Sequence, residues 1–183
     1  MTVDKRKEAQ EKIVYATIEC IEKFGLQNAT IRNIGEMAGV NSSAISYYFG
    51  GRDGLIDQVW DITLNNAFDF SDMKINEDDD YKTVIKKILT DWYQGMINYP
   101  NICNAHFQGI ICGTEQGKLV VRRMQSFIGE VYLRLIKHGM QDCDLKKNQL
   151  DIVFMSLFGN SAFNGANDDK DINGYIELLS QII

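Results

Sequence analysis

"GVNSSAISYYFGGRDGL", Gly39 to Leu55, is the stretch whose reading decides the fold. Serines and aromatic residues crowd into about two helical turns, with glycines on both sides. A helix this short is not stable alone in water, so it must be held by its neighbours. Asn41 can cap a helix over Ser42 to Phe49. Its buried side is expected to be Ile45 with Tyr48 and Phe49, spaced i, i+3 and i+4. Ser42, Ser43, Ala44, Ser46 and Tyr47 then face outward.

Upstream, Thr30 reads as the N-cap of a second short helix, Ile31 to Ala38, with Ile34, Met37 and Ala38 as its apolar set. Gly39 is its stop. Gly35 puts the smallest residue mid-helix, where a crossing helix needs close approach. Ile45 supplies an apolar plug after the turn. A small residue, a turn glycine and an aliphatic at these offsets let two helices cross steeply over one core, which is helix-turn-helix geometry. The outward face of the second of them is the one that can enter a major groove. Before the pair, Lys5 to Phe24 carries Ile13, Ala16, Cys20 and Phe24 at helical spacing, and Gly25 ends it.

Here the chain resembles the TetR family of transcriptional regulators. The resemblance is carried by "ATIRNIGEMAGVNSSAISYYFGGRDGL": a capping Thr, Ile and a small residue, "AGV", a polar residue, a short helix ending aromatic-x-Phe, then a turn with a basic residue and Leu. It covers about the first 60 residues; the remainder is similar in length and helix pattern. The resemblance implies an all-α protein: a helix-turn-helix DNA-binding domain over residues 1–52 and an effector-binding and dimerisation domain over 53–183. It implies a homodimeric repressor that leaves a palindromic double-stranded DNA operator when a small molecule binds. Carried over position by position, Ser42, Ser43, Ala44 and Tyr47 become candidates for base or sugar contact, with Ser46 beside them. Thr30, Arg32, Tyr48 and Arg52 become candidates for phosphate contact. The family often has Gly at Ser43, Tyr at Ser46 and Lys at Arg52. No Arg, Asn or Gln stands on the third helix for bidentate base contact, and Asn41 at its cap is the nearest. Specificity then falls to hydroxyls, methyl contacts, water and DNA shape.

Downstream the pattern stays helical. Helices are expected over Asp53 to about Phe70, Tyr81 to Tyr99, Asn101 to Cys112 and Gln116 to His138. Pro100 separates two of them. "LDIVFMSLFGNSAF", Leu150 to Phe163, is apolar nearly all round and must bury more than one face. With the last helix, Asp171 to Ile183, it is the expected homodimer surface. The resemblance implies an effector pocket among the middle helices, and Trp60, Phe68, Trp92, Tyr93, Met96, Tyr99, His106, Phe107, Met124 and Phe127 are its candidate lining. Aromatic and Met residues with few polar groups suit a small apolar or amphipathic effector.

Charge bears on the DNA reading. The net charge is -6 and the pI about 4.9, whereas DNA-binding domains carry basic patches. The acidity is unevenly spread. Through Trp60, seven Lys/Arg face eight Asp/Glu; the remainder has twelve against seventeen. A near-neutral first part can still present a basic face.

Other classes fit less well. There is no Ser/His/Asp order, phosphate-cradling loop or acid pair, so neither an enzyme nor a cofactor is expected. Cys103 and His106 share a helix at i, i+3 without a second pair, so no metal is expected. Asp169-x-Asp171-x-Asn173-Gly174 opens like a calcium loop, but Ser180 stands where the closing Glu belongs. The four cysteines (Cys20, Cys103, Cys112, Cys143) show no disulfide or zinc spacing. The N-terminus is charged, and no apolar run spans a membrane. These features point to a cytoplasmic protein with no membrane partner.

Overall fold

The short helices form, and capping side chains fix their starts. In the computed structural model, which describes residues 3–69, 73–164 and 172–183, α1 (Val3–Phe24) is followed by a 3-10 turn at Leu26–Asn28. Then come α2 (Ile31–Ala38), α3 (Ser42–Phe49), α4 (Arg52–Ala67), α5 (Tyr81–Asn98), α6 (Pro100–Ile111), α7 (Glu115–Lys137), α8 (Asp144–Asn164) and α9 (Ile172–Ile182). No strand occurs among the described residues.

Thr30 accepts the Asn33 N–H at 3.2 Å and starts α2. Asn41 accepts the Ser43 N–H at 3.1 Å and starts α3. Gly39 ends α2 with φ 62°, the left-handed region that favours glycine. Gly35 permits the tight turn that follows: a methyl group there would stand 3.0 Å from the Val40 carbonyl oxygen. Close approach at Gly35 is thus to the turn backbone as well as to the start of α3.

Two hydrophobic clusters organise the chain. The first joins Ile13, Cys20 and Ile21 of α1, Ile34 and Ala38 of α2, Ile45 of α3 and Leu55, Ile56, Val59 and Trp60 of α4, with Ile102 of α6 inserted. Ile45 is 0% exposed; truncating such a plug to Ala costs about 2–5 kcal/mol. The second cluster is built from α5, α7, α8 and α9 with Cys103 of α6. Trp92 stands at its centre, with the rings of Phe68, Phe127, Phe154 and Phe158 within 5.1–6.3 Å.

Most element ends differ from the sequence expectation by a residue or two, and three of the differences are informative. α4 stops at Ala67; Phe70, its expected end, lies outside the described residues. α8 begins at Asp144, ahead of the apolar run, because the polar residues before Leu150 form solvated helix surface. Pro100 occupies the first position of α6, where its missing N–H and fixed φ cost nothing. Asp171, Asp169 and the calcium-like start they form also lie outside the described residues.

Candidate nucleic-acid interface and effector cavity

α3 is presented by its two glycine turns with one side anchored. Ile45 is buried, Ala44, Tyr48 and Phe49 are half-buried, and Ser42, Ser43, Ser46 and Tyr47 are exposed. Tyr47 is 72% exposed. Its ring stands edge-on to Tyr48 at 5.1 Å.

The remaining sequence candidates divide by how free their polar groups are. Arg32 is exposed and pairs with Glu36 at 3.0 Å. Asn41 Oδ1 is used by the cap, which leaves its amide N–H groups for other partners. The hydroxyl of Thr30 accepts the Asn33 N–H, and that bond does not use its own proton. Arg52 is committed inward: its Nε donates to the Ala29 carbonyl at 2.8 Å and its Nη2 to the Leu26 carbonyl at 2.7 Å. Gly50 and Gly51, with φ 73° and 125°, turn the chain so that this guanidinium reaches back over the 3-10 turn. Only Nη1 points to a side chain, 3.9 Å from Asp53. The basic residue of the motif therefore ties α4 to the segment before α2.

Positive charge near α3 comes from α1 instead. The Arg6 guanidinium sits 6.0 Å from the Tyr47 ring centroid, within cation–π range. The Lys12 ammonium lies 3.8 Å from where Gly39 would carry a Cβ. Both residues are exposed. The sequence signal was the run "KRKEAQEK", Lys5 to Lys12, whose helical spacing puts Lys5 and Lys12 on one side. What it could not show is that α1 lies beside the turn between α2 and α3.

A cavity of about 410 Å³ opens among α1, α4, α5 and α6, closed at depth by Val120 of α7 and Phe158 of α8. Of the sequence candidates, Phe68, Trp92, Met96, Tyr99 and His106 line it. The other candidates lie behind the wall. Trp60 packs on His106 at 4.4 Å, Phe107 on Phe158 at 5.5 Å, and Phe127 on Phe68 at 5.2 Å. Met124 is core, and Tyr93 packs against the same cluster. Trp60 belongs to the first core, and Phe107 and Phe127 pack in the second, so periodicity alone could not separate them from the wall. Sequence reasoning missed Tyr15, Ile18, Thr63, Asn66, Asp91 and Cys103, which also line it.

His106 is the cavity's polar centre. Its Nε2 and the Thr63 hydroxyl are 3.1 Å apart, and that hydroxyl also reaches the Trp60 carbonyl at 3.3 Å. If the hydroxyl proton goes to the carbonyl, Nε2 is the donor to Thr63. Burial pushes the imidazole down to about 4, so it is neutral near pH 7. Burial likewise pushes the Cys103 thiol up to about 11, and its Sγ lies 3.8 Å from Ser161 Oγ. Among the described residues no group of three His, Cys, Asp or Glu is placed to hold a metal ion.

α6 is docked on α1 through Glu22. Its carboxylate accepts the Ile102 N–H at 2.7 Å and the Asn101 N–H at 3.1 Å, and the Asn101 side chain donates to the Glu22 carbonyl at 2.7 Å. A carboxylate on unpaired N–H groups at a helix start is favoured by both hydrogen bonding and the helix dipole. Burial raises the Glu22 carboxyl above the ordinary range, and the two backbone donors oppose that shift.

Comparison with known proteins agrees with this geometry. Residues 13–59 match the model of the bacterial regulatory proteins of the tetR family. Over this N-terminal stretch the chain is similar to the TetR family. Over 58 residues it is 41% identical to the HTH-type transcriptional regulator BetI 1 of Chromohalobacter salexigens, 29% of either chain. Over 138 residues it is 26% identical to BetI of Vibrio atlanticus, 75% of this chain and 57% of that one. These matches thus span less than two thirds of the relatives' own length. In fold the chain is similar to a TetR-family regulator from Streptomyces coelicolor, with TM-score 0.75 and 12% identity over 100% of this chain and 78% of that one. The fatty acid degradation regulator FadR of Bacillus halodurans gives TM-score 0.72 and 16% identity, covering 94% and 96%. The named relatives are regulators, not enzymes, and among the described residues no helix is long and apolar enough to cross a membrane.

Proposed function

We propose that this chain is a cytoplasmic, homodimeric transcriptional repressor of the TetR family that leaves a palindromic DNA operator when a small molecule fills its cavity. The observation that carries the reading is the exposed face of α3. Its hydroxyls and the Tyr47 ring stand in water while Ile45 fixes the helix from behind. Ser42, Ser43, Ser46 and Tyr47, with the free amide of Asn41, contact bases and sugars. Thr30, Arg32, Arg6 and Lys12 contact phosphates. Arg52 holds the segment before α2 with two of its five donors, while its Nη1 faces Asp53 at the surface. Residues 1–52 form the DNA-binding domain and 53–183 the regulatory one.

Dimerisation is supported by apolar residues left in water. Leu145, Ile152 and Met155 of α8 follow one another at i, i+7 and i+10 and are 65%, 58% and 48% exposed. Leu178 and Ile182 of α9 are 58% and 37% exposed. Two such helices pair about a two-fold axis and bring two copies of α3 to one operator. Effector binding favours a second arrangement of the two copies. It can do so only through a different affinity for the two states.

The test is a gel shift on DNA from the chain's own promoter region, across a salt series. The wild type should bind with a steep salt dependence, and Tyr47→Ala should weaken binding while helicity is unchanged. Binding no stronger than to random DNA at every salt concentration would overturn the reading.

A further inference from the structure

The cavity is one-sided in charge. Among its described lining residues there is no Lys or Arg, and Asp91 is the one carboxylate. Its imidazole, His106, is neutral near pH 7. Asn66, Asp91, Gln94, Gly95 and Asn98 are exposed and mark the mouth, while Phe68, Trp92, Met96, Val120 and Phe158 form the apolar depth. Asp91 forms no ion pair with a described residue. An anionic ligand would be desolvated beside a carboxylate with no cation to offset the cost. A cationic head meets Asp91 and the ring faces of Tyr15 and Tyr99, both more than half exposed at the mouth.

Gly95 is an independent sign that the mouth is kept open. It lies inside α5, where glycine weakens a helix. No atom lies within 4 Å of where its Cβ would be, so packing does not require it, and its φ is not in the left-handed region. What a side chain at this position would do is stand in the opening.

We propose that the cavity takes a lipophilic monocation, with its apolar body against Phe68, Trp92 and Phe158 and its head at the mouth beside Asp91. The proposal rests on reading the cavity as the effector site.

The test uses DNA-free protein, so that it does not depend on the operator. Decyltrimethylammonium, decanol and decanoate, which share one chain length, are titrated below their micellar concentrations. Tryptophan fluorescence follows binding, since Trp92 lines the cavity and Trp60 backs His106. The cation should bind about tenfold tighter than decanoate, the combined scale of an exposed cation–π contact and an exposed ion pair. Asp91→Asn should cut that preference to about threefold, as befits an exposed carboxylate. Gly95→Phe should abolish binding of all three with the circular dichroism spectrum unchanged; a cation held merely on the acidic surface would not respond. Decanoate binding as tightly as the cation, decanol binding tighter than it, or no probe binding at all overturns the proposal. So does affinity unaltered by Gly95→Phe, or a preference unaltered by Asp91→Asn. Failure of the promoter gel shift would instead overturn the repressor reading and leave the ligand class standing.

Discussion

Removing the His106 imidazole should flatten the acid limb of the stability curve. In the folded chain this group titrates at about 4, against an ordinary 6.5, because it is buried between Trp60 and Thr63. The unfolded chain therefore binds more protons than the folded one between these two values. The stability tied to the neutral imidazole is complete above 6.5 and is lost as pH falls from 6.5 towards 4. At about 1.4 kcal/mol per unit, the whole window is worth about 3 kcal/mol. Asp79, Asp80, Glu115 and Glu177 also titrate low, each chiefly through a side-chain hydrogen bond. Their contributions are lost in a lower window, below the ordinary carboxylate value, and a variant at His106 shares them. Urea unfolding of the wild type and His106→Leu at intervals from pH 7 to 4.5 isolates the difference. The wild type should lose about 2 kcal/mol more than the variant over that range. The Thr63 hydroxyl keeps its contact with the Trp60 carbonyl in the variant. Parallel losses in the two proteins would refute a buried neutral imidazole.

Three further outcomes are expected. Arg52→Met should destabilise the fold by about 1–3 kcal/mol, since the Ala29 carbonyl loses its side-chain donor and the Leu26 carbonyl keeps only the Ala29 N–H, and Arg52→Lys should recover little because one ammonium lacks the guanidinium's fork; urea midpoints decide. Gly117→Ala should lower the melting temperature sharply. Its new methyl would stand 2.1 Å from the Gly109 carbonyl oxygen, whereas Gly129→Ala, with nothing within 4 Å, should hold or raise it. Ile152→Asp with Met155→Asp should convert a dimer to a folded monomer in sedimentation velocity, and an unchanged sedimentation coefficient would remove α8 from the interface.

Much of the N-terminal fold was legible because its signals are local. Thr30 and Asn41 cap within three residues of themselves, and Gly39 ends α2 through its own φ. Arg52 shows where local reading stops. Its charge and position read as a phosphate contact, and nothing in the local pattern tells that two of its donors also reach carbonyls 23 and 26 residues away in sequence. The cavity divided in the same way. Trp92 and Phe127 look alike in the pattern, and only the packing of α5 against α7 and α8 decides which ring faces space. Tyr15 was invisible as a wall residue, since an exposed tyrosine on α1 announces nothing about α4 or α6. Gly109 and Gly117 were passed over because a close helix crossing is a property of two segments at once.

The clamp on α6 has a mechanical consequence. At its start the helix is bolted to α1 by the Glu22 carboxylate, and near its end the Gly109 backbone is wedged against Gly117 of α7. The cavity wall formed by Ile102, Cys103 and His106 lies on the span between these supports. A beam fixed at both ends cannot relieve a load by sliding or fraying. It can only tilt, and the tilt is delivered at the bearings. One bearing is α1, whose N-terminal half carries Arg6 and Lys12 beside the turn before α3. On the proposed reading, crowding at His106 would tilt α6 against α1, and α1 would carry that rotation to the turn before α3.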